Sequence, residues 1–274
     1  MNPASLEHAA ALIGHADLLI VTAGAGMGVD SGLPDFRGNQ GFWKAYPALA
    51  RARMEFASVA SPSTFREDPA LAWGFYGHRL NLYRATVPHA GFGLLRKWSE
   101  RMAHGYAVFT SNVDGHFQAA GFDPQRIYEC HGSIHHLQCL EPCGDHVWSA
   151  DGYTPQVDSD ACRLLSEAPT CPHCGALARP NILMFGDWGW NEQRAAAQET
   201  RLQHLLHKAE RPLVVELGAG TAIPSVRHFG HRVVQQLNGR MIRVNPREPQ
   251  VASPRDVGLA TGAHEALSAI DALL

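Results

Sequence analysis

Three sets of residues have the types and spacing to do chemistry. Four cysteines fall in two close pairs, Cys139-x3-Cys143 and Cys171-x2-Cys174. His131 stands directly before Gly132, and Asn112 and Asp114 share the stretch Thr110-Ser-Asn-Val-Asp114. Paired cysteines suit a structural zinc ion, because tetrahedral Zn²⁺ takes thiolates presented from two tight knuckles. Pro142 and Gly144, and Pro172 and Gly175, make both sites turns. The bland alternative is two unrelated pairs of buried cysteines; His146 and His173 are near enough to serve as substitute ligands, and Cys130 and Cys162 read as free thiols. A lone histidine is usually structural. One at a strand end, before a glycine that permits close backbone approach, is a better candidate for a general base. Asn112 and Asp114 offer an amide and a carboxylate suited to a ribose or a carboxamide, and read equally well as an Asx turn capping the next helix.

A glycine-rich block holds these groups together: Thr22-Ala-Gly-Ala-Gly-Met-Gly-Val-Asp-Ser-Gly-Leu-Pro-Asp-Phe-Arg-Gly38. It follows the apolar run Asp17-Leu-Leu-Ile-Val21, the pattern of a buried parallel strand. Gly24, Gly26, Gly28 and Gly32 let backbone N–H groups turn tightly and approach a pyrophosphate. Their spacing misses G-x-G-x-x-G, which disfavours an ordinary Rossmann dehydrogenase. The tail places Asp35, Phe36 and Arg37 in a proline-anchored turn, the make-up of a cofactor clamp.

The elements that must position these residues alternate between strand and helix. Residues 3–14 read as an opening helix, and Pro88 to Ala103 as a longer one with Phe92, Leu95 and Trp98 on one face. Strands are expected at Tyr106–Phe109, Arg126–Cys130, Leu213–Leu217 and Arg240–Val244, and a closing helix after Gly262. Residues 58–83 read as short helices broken at Pro62 and Pro69. Asn39 to Pro47 has no clear period and reads as a lid or a surface connection. The alternation predicts an α/β fold with a parallel, doubly wound sheet, whose ligands bind at the carboxyl ends of the strands.

A chain of 274 residues can form one large domain or a large and a small one. With 23 basic and 26 acidic residues there is no basic stripe, so a nucleic-acid partner is not expected. No apolar run approaches a bilayer span and no export signal opens the chain, so the expectation is a cytoplasmic protein without a membrane partner.

Taken in order, these blocks resemble the sirtuins, NAD-dependent protein deacylases. The glycine block is similar to their Gly-Ala-Gly-x-Ser-x-x-Ser-Gly-Ile-Pro-Asp-Phe-Arg motif, and Thr110-Ser-Asn-Val-Asp114 resembles Thr-Gln-Asn-Ile-Asp. Glu129-Cys-His-Gly132 resembles the catalytic histidine motif, the cysteines fall where the family carries zinc, and Val244-Asn245 looks like the Ile-Asn pair that holds the adenosine ribose. Arg179-Pro-Asn-Ile-Leu-Met-Phe-Gly186 resembles the segment that pairs with substrate backbone.

The resemblance implies a Rossmann-like NAD-binding domain (1–37, 84–134 and 180–274) and a smaller inserted helical and zinc-binding domain (38–83 and 135–179). It implies acyl transfer from a lysine to ADP-ribose with release of nicotinamide. His131 would be the base, and Asn112 and Asp114 would orient nicotinamide and ribose. NAD would lie on Gly24, Ala25, Gly26, Asp35, Phe36, Arg37, Ser111, Asn112, Asp114, Gly218, Asn245 and Ala263. An acyl-lysine peptide would lie on Met184, Phe185 and Gly186, and zinc on Cys139, Cys143, Cys171 and Cys174. Tyr76 and Arg79 resemble the Tyr-x-x-Arg pair of desuccinylase-type members, with Arg84 as a second candidate charge. Gly28, Ser111 and Asp187 depart from the family pattern. Gly28 and Ser111 keep open a second activity on the same site, ADP-ribosyl transfer to protein or NAD hydrolysis. Oligomeric state is left open.

Overall fold

The structure, a computed structural model, describes residues 1–34 and 38–274, so Asp35, Phe36 and Arg37 lie outside the described residues. The strands are β1 (Leu18–Ala23), β2 (Tyr106–Thr110), β3 (Ile127–Glu129), β4 (Gly132–Cys139), β5 (Val147–Ser149), β6 (Val157–Asp158), β7 (Arg163–Leu164), β8 (Ala178–Ile182), β9 (Pro212–Leu217), β10 (Arg240–Val244) and β11 (Val257–Leu259). Six of them form one sheet in the order β11-β10-β9-β1-β2-β3, with every pairing parallel. The chain builds outward from β1 to β3, then returns to β9 on the other side of β1. That reversal puts a topological switch point between β1 and β9, where a parallel sheet opens a crevice beyond its carboxyl ends.

The strand sequences read as continuous apolar runs because both sheet faces are covered. Leu19 and Val21 face a core shared with the helices Pro3–His15, Gly91–Ser99 and Ala263–Asp271. Leu18 and Ile20 face the opposite core, under the helices Gln193–Leu206 and Ser225–Gln236. There the Phe109 and Phe229 rings stack at 4.0 Å. Buried on this sheet, Arg243 donates to Glu216 from Nε (2.5 Å) and Nη2 (3.2 Å).

A third core lies beside the antiparallel sheet β5-β4-β8. It gathers Phe42, Phe65, Trp73, Phe75, Tyr76, Ile134 and Ile182 around the helix Pro69–Ala85. Trp73 Nε1 donates to the Ala178 carbonyl at 3.0 Å, tying this helix to β8. Gly74 is obligatory, since a Cβ there would lie 2.2 Å from the Cys162 carbonyl oxygen. Among the described residues no helix is long and apolar enough to cross a membrane.

Three local expectations shift. Residues 39–47 are neither plain connection nor irregular: the helix Gly38–Ala45 forms, then Pro47–Arg51. Packing supplies what periodicity lacks, because Phe42 and Tyr46 are buried edge-on or tilted against Phe56 and Phe75. The helix expected from Pro88 is shorter, Gly91–Ser99. His89 is held to the glycine block instead, its N–H on Ser31 Oγ (3.0 Å) and its Nε2 on the Met27 carbonyl (3.1 Å). The strand expected over Arg126–Cys130 shrinks to β3 after a 3₁₀ turn at Pro124–Arg126.

Replacing Arg243 by Met should leave Glu216 as an uncompensated buried carboxylate. Unfolding in urea should then show a loss of about 3–5 kcal/mol.

Candidate active site

The switch point is closed by two glycine loops that meet backbone to backbone. Gly24 N–H donates to the Leu217 carbonyl (3.0 Å) and Gly26 N–H to the Gly218 carbonyl (3.1 Å). Gly218 has φ +61°, and a Cβ on it would lie 2.4 Å from Gly26. Only glycine fits.

Beyond this closure lies a cavity of about 650 Å³, within the range of small-molecule sites. It is walled by the carboxyl-end loops of the sheet: Gly24 and Ala25 after β1; Ser111, Asn112 and Asp114 after β2; His131 after β3; Gly218 after β9; Arg247 and Glu248 after β10.

Each polar group has an identifiable tether. Thr110 Oγ1 donates to the Ala23 carbonyl (3.1 Å) and accepts from Asn112 N–H (3.0 Å). Asn112 Nδ2 donates to the Gly24 carbonyl at 3.0 Å. Asp114 is buried and its Oδ1 accepts from His116 N–H at 2.9 Å, so the Asx turn and the cavity wall are the same residue. Burial pushes its carboxyl above the ordinary range, and His116 beside it pulls it part of the way back. His131 Nε2 lies 3.3 Å from Ser225 Oγ. Burial lowers the His131 pKa, partly offset by a hydrogen bond to the Ser111 backbone.

Not all the expected residues reach the cavity. Gly26, Gly186, Asn245 and Ala263 are not on its wall. Asn245 is fully buried: Nδ2 donates to the Ala219 carbonyl (2.8 Å), and Oδ1 accepts from the N–H groups of Arg247 and Glu248 (3.0 Å each). It shapes the loop that presents Arg247 and Glu248. The sequence pattern does not single out those two or Ser225, and it gives Thr221 only as the end of the Gly218-Ala-Gly-Thr loop after β9. Thr221 Oγ1 donates to Glu248 Oε1 at 2.8 Å, and Arg227 Nη2 to Glu248 Oε2 at 3.1 Å. The one sequence signal was a charged pair just past a strand's carboxyl end.

Tyr76, Arg79, Met184 and Phe185 also line the cavity. Tyr76 and Arg79 are 1% and 7% exposed, so both are packed into the core beside this cavity. Arg84 does not compete: it donates to the carbonyls of Tyr153 (2.7 Å) and Ala150 (2.8 Å). The segment after β8 is pinned, with Leu183 N–H on the His131 carbonyl and Phe185 N–H on the Ala60 carbonyl, each 3.0 Å. Asp187, where the family pattern has glutamate, pairs with Arg179 through two bonds of 2.7 and 2.9 Å, both side chains wholly buried.

The donor set fits a dinucleotide: a side-chain-free glycine cradle for a pyrophosphate, and an amide, carboxylates and a histidine for ribose and carboxamide groups. The cysteines also fit their ion. The four Sγ atoms lie within 4.8 Å of one another. The pairs Cys139–Cys174 and Cys143–Cys171 are each 3.6 Å apart, close to the roughly 3.8 Å that four Zn–S bonds of about 2.3 Å set in a tetrahedron. His146 and His173 stack on each other at 3.7 Å and are not part of this cluster. Cys130 and Cys162 are free thiols, each pushed up to about 12 by burial and therefore inert.

Comparison with known proteins agrees with this geometry. The Sir2 family model matches residues 24–215. The NAD-dependent protein deacylase of Thermococcus kodakarensis is 29% identical over 262 residues, 96% of this chain and 93% of that one. The deacylase of Pyrococcus furiosus is 30% identical over 243 residues, 89% and 87% of the two chains. A solved Sir2 homologue in complex with NAD superposes with a TM-score of 0.73 at 22% identity, covering 97% of this chain and 93% of the other. Another Sir2 enzyme, 25% identical, gives a TM-score of 0.70 with both chains wholly covered. The chain belongs to the Sir2 family.

One zinc ion per chain is expected in metal analysis of the purified protein. Chelation should loosen the segment 135–179 before the parallel sheet melts, because structural zinc contributes folding free energy. A metal-free preparation with full activity would leave the cysteines as packing.

Proposed function

We propose that this chain is an NAD-dependent protein-lysine deacylase, releasing nicotinamide and moving the acyl group to ADP-ribose. The observation that carries the reading is a single cavity lined by His131, Asn112 and Asp114 together with Tyr76 and Arg79. Bound NAD supplies the electrophilic ribose carbon. Asn112, held on the Gly24 carbonyl, orients the nicotinamide end against the glycine cradle. Asp114, sunk in the wall, accepts from the carboxamide or a ribose hydroxyl. His131 removes a proton from a ribose hydroxyl, with Ser225 beside Nε2 to hold the ring. Zinc, if four thiolates bind it, has no open position and stays structural. The free cysteines support work in a reducing compartment.

Replacing His131 by Ala should cut nicotinamide release with an acyl-lysine peptide about a hundredfold or more, while NAD binding, read by calorimetry, largely persists. The working form is neutral imidazole, and burial sets its pKa below the usual 6.5. Activity should therefore be full near neutrality and fall as pH drops through a midpoint below 6.5. An acid limb above that value, or a fully active alanine variant, overturns the assignment. Protein-bound ADP-ribose formed without peptide deacylation overturns the deacylase reading itself.

The acyl group preferred is an acidic one, succinyl or malonyl, ahead of acetyl. Tyr76 and Arg79, one helical turn apart, converge on the same cavity, and a guanidinium with a phenol matches a carboxylate. With Arg79→Met, the succinyl-lysine peptide should lose about 1.5–3 kcal/mol in kcat/KM and the acetyl peptide little. A native preference for acetyl would refute it.

A further inference from the structure

Arg79 is not alone in its pocket. On the same helix, Tyr83 lies four residues on, and its hydroxyl oxygen receives both Arg79 Nε (2.9 Å) and Arg79 Nη2 (2.8 Å). Both residues line the cavity, and both are less than a tenth exposed. The guanidinium also lies 5.2 Å from the Phe75 ring centroid, 5.6 Å from Tyr76 and 5.4 Å from Tyr83. Two N–H groups from one edge of a rigid fork converge on one oxygen, which fixes both the plane and the rotation of the fork.

We propose that Tyr83 is the positioning residue of the acyl pocket, fixing the edge on which Arg79 meets an acidic acyl tail and giving its own O–H to the same carboxylate. The proposal rests on the acidic-acyl reading above. A phenolic oxygen that accepts twice still has one proton to donate. That O–H has no acceptor among the described residues, and it opens on the cavity that Tyr76 and Arg79 wall. Burial raises the Tyr83 pKa more than Arg79 lowers it, so the hydroxyl remains a donor at neutral pH. A carboxylate in this corner would meet a charged donor and two phenols from one helix face. An acetyl group would leave the Tyr83 O–H without an acceptor, and burying an unmet polar group disfavours the wrong ligand.

The bland role for Tyr83 is packing, with its hydroxyl serving only to satisfy Arg79. Tyr83→Phe keeps the ring and removes one oxygen, so it separates the two. Succinyl- and acetyl-lysine peptides are compared on the native enzyme, Tyr83→Phe, Arg79→Met and the double variant. The succinyl-to-acetyl ratio of kcat/KM should fall roughly tenfold in Tyr83→Phe, mostly through the succinyl peptide's KM. The double variant should fall below Arg79→Met yet lose less than the sum of the two single losses, because part of the hydroxyl's effect runs through that guanidinium and part is its own bond to the carboxylate. If the native enzyme prefers succinyl and Tyr83→Phe leaves the ratio unchanged, or weakens both peptides equally, Tyr83 is packing and the proposal falls while the acidic-acyl reading stands. If the native enzyme prefers acetyl, both fall.

Discussion

The contact on which the site depends is the meeting of two backbones at the switch point. With Gly24 against Leu217 and Gly26 against Gly218, no side chain separates the loops after β1 and β9. Any Cβ at Gly218 would drive them apart. Because the loops touch, their remaining polar atoms face the crevice, where a dinucleotide can approach the backbone itself. The neighbouring loop then locks to the first: Ser111 N–H and Thr110 Oγ1 both donate to the Ala23 carbonyl, and Asn112 donates to that of Gly24. The amide that orients a ligand is thus positioned by the cradle that holds it.

The second constraint is where β3 hands over to β4. Gly132 has φ +79°, and a Cβ there would fall 2.0 Å from the Asn181 carbonyl oxygen. Close approach of β8 is therefore possible only because glycine follows His131. The His131 carbonyl in turn receives Leu183 N–H, which brings the substrate-facing segment of Met184 and Phe185 alongside the base. The Arg179–Asp187 pair closes that segment from behind. Wholly buried ion pairs add little net stability but punish rearrangement, since breaking one strands a charge. Asp187 also accepts from Met184 N–H and Gly189 N–H, so a short carboxylate fixes the turn at several points.

Much of this was legible in the residues, and what was not has physical causes. The strands of the parallel sheet could be read because both faces are covered, leaving unbroken apolar runs. His131, Asn112 and Asp114 could be placed because they follow such runs directly. The helices over 38–51 could not, because their stability comes from Phe42 and Tyr46 packing on residues far along the chain. Asn245 reads as a ligand contact in the sequence; in the structure its amide bonds the Ala219 carbonyl and the Glu248 N–H, and Glu248 lines the cavity. Spacing locates a residue on a loop but not the direction its side chain faces. The same limit hid Tyr83, whose role depends on a bond to a neighbour four positions away.

Of the departures from the family pattern, Ser111 lies on the wall of the cavity and Gly28 and Asp187 lie behind it. A Cβ at Gly28 would lie 2.9 Å from Leu33 Cδ1, and Leu33 itself lines the cavity. The volume a serine side chain would take is therefore filled by a leucine, making that wall apolar. Ser111 shortens the side chain facing the ribose end, while its backbone still ties to Ala23 and to the His131 ring. Asp187 substitutes for a longer acid without leaving Arg179 unpaired. Ser111 therefore alters the wall itself, Gly28 acts on it through Leu33, and Asp187 stays behind it.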